Sequence, residues 1–218
     1  MNKRRKESPM LWMQPHTGEK SREEKRPVQP APEGVGPLLQ RDYVGVIEGS
    51  RLAPEAVVDL VRNDFAHFAP DLLAKFSRPD EKPNPLAPGD TMHVFIPGVG
   101  HGGVVVAHLD DLRLTLRTLE GHFEAGTITF GADADPAGRV VFRIRSRSTI
   151  NNPLRLLMYL TVGIHMQTHI WVTFVERVAE AAGGRVLGRV LVSTDRVHER
   201  PIDRGEVDAP TFHVARET

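Results

Sequence analysis

The chain has 218 residues, 28 lysines plus arginines against 28 aspartates plus glutamates, and no cysteine. The missing cysteine excludes disulfides, thiolate metal sites and cysteine nucleophiles, and the balanced charge gives no reason to expect nucleic acid or an anionic membrane as partner. The basic start Lys3–Lys6 runs into Pro9 and a short Met10–Met13 clump, and the longest apolar run, Leu154–Ile164, contains Arg155; neither matches a signal peptide or the roughly 20 residues of a membrane span. The expectation is a soluble, cytoplasmic protein without integral membrane association.

Residues 1–36 are charged and proline-rich, and such a stretch buries too little apolar area to offset its ordering entropy. They are expected to form a disordered tail. Tyr43–Glu48 predicts a first strand. Pro54 suits the first turn of a helix, and Val57, Leu60, Val61, Phe65 and Phe68 recur at helical spacing up to Pro70. Asp71–Phe76 predicts a second short helix, and 79–90 a proline-laden loop.

An antiparallel series follows. Met92, Val94 and Ile96 alternate with His93 and Phe95, and Val104–His108 runs back after a glycine-rich turn. Leu112, Leu114 and Leu116 alternate with Arg113, Thr115 and Arg117. Ile128 and Phe130 alternate with threonines, and Phe142 and Ile144 with Arg143, Arg145 and Arg147. Each strand offers one apolar and one polar face, the pattern of a sheet covered on one side. The cover is Pro153–Ala182. As one helix it would be roughly 45 Å long, so a bend near Gly163 is expected. Arg185–Val192 predicts a further extended piece, and 193–218 a polar C-terminal tail. The domain is therefore placed at 37–192. Its class is α+β, a helix-grip: a curved antiparallel sheet of about six strands wrapped on a long C-terminal helix, with two short helices after the first strand.

The segment Thr118–Phe130 holds the densest chemistry. Glu120, His122 and Glu124 fall at every second residue, so an unbroken strand would point all three to one side, with Leu114 and Leu116. There His122 would serve as general acid or base, with a carboxylate fixing its tautomer. Gly121 permits a bulge that re-aims the rest, and a tight strand connection stabilised by His122 and Glu124 is the structural alternative. On the helix, Gln167 lands within the apolar half formed by Met166, Ile170, Trp171 and Phe174. Its amide needs a partner there, either strand backbone or a ligand. His165 and His169 share the opposite, solvated half with Glu176 and Glu180. No metal and no cofactor is expected.

Four phrases carry a family resemblance: Gly34–Leu38, Thr118–Phe130, Phe142–Ser146, and Gln167 with Trp171–Val175. From about Gly34 to Val186 the chain resembles the uncharacterised family DUF1990. That family is similar in layout to the START-related superfamily of pollen allergens, lipid-transfer domains and polyketide cyclases. The resemblance implies a space between sheet and helix. Its expected lining is apolar, from Met92 and Val94 on one side to Phe174 on the other, interrupted by Glu120, His122, Ser146 and Gln167, with Trp171 in the wall. Apolar walls with sparse polar groups suit a hydrophobic small molecule or lipid. A cyclase- or hydratase-type enzyme using His122 and Glu120 is a second reading, and an interaction module without a pocket is a third.

Overall fold

A computed structural model describes residues 26–31, 35–78, 85–150 and 164–197. The strands are β1 (Val35–Glu48), β2 (Lys75–Ser77), β3 (Thr91–Ile96), β4 (Gly100–Leu109), β5 (Arg113–Thr118), β6 (Glu124–Ala134), β7 (Val140–Ile150), β8 (Arg185–Val186) and β9 (Leu191–Arg196). The helices are α1 (Pro54–Asn63), α2 (Phe65–Phe68) and α3 (Ile164–Ala181). All pairings are antiparallel, in the order β2-β3-β4-β5-β6-β7-β1-β8, with β9 also on β1. The architecture is the α+β helix-grip, with α3 against one face of the sheet.

The sheet has nine strands among the described residues, more than the six expected. β2 replaces the second helix expected over Asp71–Phe76: after a turn, Phe76 enters the core by pairing with Val94. The helical stripe from Pro54 to Phe68 is interrupted at Asp64, whose φ of −140° and ψ of 46° leave helical geometry. The break lets Phe65 and Phe68 both turn inward, at 3% and 2% exposure. Arg177 then ties α3 to the end of α2, donating to the carbonyls of His67 (3.1 Å) and Ala69 (2.7 Å).

The tail boundaries also differ from expectation. β1 begins at Val35, eight residues before Tyr43: pairing with β7 runs on through Arg41↔Ser146 and Leu39↔Ser148 and, after an irregularity, resumes at Val35↔Ile150. Before it, Arg26–Ala31 crosses the end of β5 as a strap. Val28 bridges Leu119, Gln29 N–H donates to the Thr118 carbonyl (2.9 Å), and Glu120 N–H donates to the Pro27 carbonyl (2.8 Å). At the other end, Ser193–Arg196 belongs to β9. The expected helix start at Pro153 and the bend near Gly163 lie outside the described residues.

Register decides which side chains meet the helix. Leu114, Leu116, Phe142, Ile144 and Ser146 are at most 3% exposed on the α3 side. Arg113, Arg143, Arg145 and Arg147 alternate onto the opposite face. They lie across the sheet: Arg145 pairs with Asp42 (2.8 Å), Arg113 with Asp133 (3.7 Å), and Arg147 donates to Gln40 (2.8 Å). Burial lowers the pKa of Arg143, against the opposing effect of Asp42.

Candidate functional site

The space between sheet and α3 divides into two unlike ends. At one end it is filled by rings. Phe65 meets Phe130 edge-on at 5.0 Å and Phe76 at 5.1 Å, while Phe174 lies 5.2 Å from Phe130 and stacks on Phe142 at 6.5 Å. Such contacts add to burial in holding a core together. A cleft of about 50 Å³ beside them, floored by Phe65, Phe76 and Met92 and edged by Asp64 and Arg78, is far smaller than the roughly 300–1,000 Å³ of a typical ligand site. Met92, Phe130, Phe142 and Phe174, all expected in the lining, are at most 2% exposed at this end.

The other end is polar. Arg41 on β1 and Glu124 at the start of β6 both face the helix, at 3% and 8% exposure. Gln167 joins them across β7: its Oε1 accepts from the Arg41 guanidinium, and its Nε2 donates to the two Glu124 carboxylate oxygens at 3.3 and 3.2 Å. Ser146, 3% exposed, stands in the sheet between Arg41 and Ile128. A cation and an anion thus sit under the helix, bridged by one neutral amide that bonds to both.

Tyr43 follows Arg41 on the same face and is 0% exposed. Burial raises its pKa, opposed by the nearby Arg41 charge and by Thr168, and reinforced by Glu124. Thr168 and Arg41 are close enough to affect its ionisation, yet the hydroxyl reaches good hydrogen-bond geometry with neither. The Trp171 indole nitrogen is also buried without a partner. Its ring packs on Phe130 at 5.6 Å and Phe174 at 5.8 Å. Beside Ser146, Ile128 faces the helix but stays only partly buried, unlike its neighbours Leu116 and Phe130.

The alternating acid–imidazole–acid arrangement does not form. β5 ends at Thr118 and β6 begins at Glu124, and between them Gly121, with φ of +86°, turns the chain. That turn carries the Glu120 side chain out to solvent, so Glu120 does not line the interface. Its backbone instead binds the strap. His122 is buried at 5% exposure, its ring laid over Gly102, where an added Cβ would fall 2.4 Å from the His122 Cδ2. His122 Nδ1 is 3.0 Å from the Glu124 carbonyl and 3.1 Å from the Glu124 N–H, so one tautomer donates to the former and the other accepts from the latter. Either bond braces the turn. The carboxylate under the helix is Glu124.

His165 and His169 are exposed on the far side of α3. Among the described residues no group of three potential ligands could hold a metal ion, and no helix is long and apolar enough to cross a membrane. Arg41 lies before the strand expected at Tyr43–Glu48 and so falls outside the sequence-based site, although β1 in fact starts at Val35. The signal was present: 41, 43, 45 and 47 share one parity, and Tyr43 and Ile47 point inward.

The family described as Domain of unknown function (DUF1990) matches residues 48–192. No curated protein matches. Among solved structures, similar folds include the di-domain ARO/CYC StfQ from the steffimycin biosynthetic pathway, at 13% identity and a TM-score of 0.44, covering 66% of this chain and 50% of that one. The present chain thus spans half the length of that protein. A protein from Arthrobacter aurescens has 10% identity and a TM-score of 0.46, with 66% and 86% covered. The major latex-like protein 151 of Panax ginseng has 16% identity and a TM-score of 0.34, with 61% and 98% covered. None of these likenesses transfers an activity.

Proposed function

We propose a binding function for this chain, which belongs to the DUF1990 family: it takes a small, largely apolar molecule at the polar end of the sheet–helix interface. The observation that carries this reading is the chain Arg41–Gln167–Glu124, a polar bridge between a buried cation and a buried anion on a largely apolar face. Buried ion pairs contribute little net stability compared with apolar packing, so their presence in a core favours a role other than holding the fold. Ile128, left partly buried on the same face, supports access for an apolar body there. Gln167, Ser146 and Trp171 remain candidate contacts, joined by Arg41, Tyr43 and Glu124. His122 is assigned to the turn.

The filled aromatic end favours a second reading, an interaction module without a ligand. Native mass spectrometry of gently purified protein separates the two. A co-purifying small molecule that is lost on Gln167→Leu supports binding. Bare protein under conditions that keep the fold intact supports the module. An acid–base enzyme using Glu120 loses its carboxylate to solvent, and no other observation favours catalysis.

A further inference from the structure

We propose that β9 is an interaction edge whose partner is a second copy of this chain: two β9 strands pair antiparallel about a two-fold axis at Thr194 and join two sheets into one. The inference is independent of the binding function above.

The edge is open. β9 lies on the outer side of β1, from Leu39↔Arg196 to Val44↔Leu191, and no other strand among the described residues pairs with it. Every residue of β9 is exposed. Val197 N–H donates to the Leu38 carbonyl (3.0 Å), and this fixes the phase of the ladder. In the antiparallel alternation Leu191, Ser193 and Asp195 bond inward to β1, while Val192, Thr194 and Arg196 turn their N–H and C=O groups away from it. Native edges are commonly blunted by proline, lysine or a bulge. β9 has none of these. Of the large apolar side chains exposed among the described residues, Leu187, Leu191 and Val192 all lie along this edge.

The edge is also complementary to itself in one register. Its outward backbone groups can bond only to the outward groups of the second copy. With Thr194 opposite Thr194 of that copy, Val192 falls opposite Arg196, Ser193 opposite Asp195 and Leu191 opposite Val197. Threonine pairs favour cross-strand contact, a serine hydroxyl can donate to the facing carboxylate, and an arginine stem can cover valine. No like charges meet. Sliding the strands by two residues in one sense sets Asp195 against Asp195, and in the other sets Leu191 against Asp195. A single strand pair buries an area at the small end of specific interfaces, below roughly 1,200 Å², so the dimer is weak and depends on concentration.

The chain has no cysteine, so single introduced cysteines report on this contact in the full-length protein. Under mild oxidation Thr194→Cys should cross-link to a dimer much faster than Leu72→Cys, a control at an exposed site elsewhere. Val192→Cys and Arg196→Cys should each stay monomeric alone, because like positions are then roughly 14 Å apart, beyond the reach of about 7 Å between Cα atoms in a disulfide. The two mixed should cross-link. In sedimentation velocity, wild type should pass from monomer to dimer between about 1 and 300 μM, as a small interface implies. Thr194→Pro removes an N–H that β1 does not use, and should weaken the dimer about 10-fold or more. A thermal melt confirms that this variant is folded, and the cysteine series stands without it. Wild type that stays monomeric throughout, Thr194→Cys cross-linking no faster than Leu72→Cys, Val192→Cys cross-linking alone as fast as the mixture, or a dimer unchanged in folded Thr194→Pro overturns the proposal.

Discussion

Arg41 on β1 and Gln167 on α3 are hydrogen-bonded beneath the helix, 126 residues apart in sequence. The same Gln167 amide donates to Glu124. One neutral side chain thereby bonds to two buried charges. Gln167→Leu preserves most of the volume and leaves both charges without that partner. It should lower stability by about 1–3 kcal/mol, measured by denaturant unfolding. Gln167→Glu should be worse than the leucine change at neutral pH, because it sets a second carboxylate against Glu124. A variant as stable as wild type would show that Arg41 and Glu124 are satisfied without the helix.

Gly102 is where β4 makes room for an imidazole. A Cβ there would lie 2.4 Å from the His122 ring, closer than van der Waals contact allows. Gly102→Ala should therefore destabilise by about 1–3 kcal/mol, the usual cost of overpacking. The Gly102→Ala/His122→Ala double variant should recover much of that loss, since removing the ring removes the clash. Additive losses in the double-mutant cycle would mean that the ring is not what the methyl group meets.

How far the sequence foretold this arrangement can be followed residue by residue. The alternation at Leu114/Arg113 and Ile144/Arg143 fixed both faces of the sheet, because period-two patterning is enforced wherever one face is buried. Gln167 was visible as an amide inside a helical apolar stripe. Its partners were not, since nothing local links positions 41, 124 and 167; only the pairing of β1 with β7 and of β7 with β6 brings them together. Glu120 was misplaced because the alternation was extended through Gly121, where a positive φ ends the strand. The strap was missed for a different reason. Arg26–Ala31 is held by backbone bonds to a turn, and proline-rich composition carries no sign of such docking.

Thr118 is the anchor of that strap. Its hydroxyl donates to the Gln29 carbonyl (3.0 Å) and accepts from Gly126 N–H (2.9 Å), all within the buried end of β5. Thr118→Val keeps the shape and leaves that amide and carbonyl short of a partner. Stability should drop by about 1–3 kcal/mol. Hydrogen–deuterium exchange at the Gln29 and Glu120 amides, which bond strap to turn, should also speed up, as the strap releases more often. Unchanged exchange with lowered stability would mean that the backbone bridge at Val28 and Leu119 holds the strap without the hydroxyl.

Alkaline pH should weaken the fold through Tyr43. Its pKa is raised above 10.0, chiefly by burial, whereas in the unfolded chain it titrates at about 10. Between the two values the native state still holds the proton and the unfolded state has lost it. Because stability changes with pH as the difference between protons bound by the unfolded and native states, its slope is negative there. The contribution is fully present below about pH 9 and is lost as pH rises through the native value. Phenylalanine at this position cannot ionise in either state. Urea unfolding of wild type and Tyr43→Phe from about pH 8 to pH 11 should give curves that run parallel on the neutral side, with wild type falling more steeply above pH 10. All other ionisable groups are common to both proteins, so the difference between the curves isolates Tyr43. Parallel curves over the whole range would mean that its hydroxyl reaches solvent as readily in the folded chain as in the unfolded one.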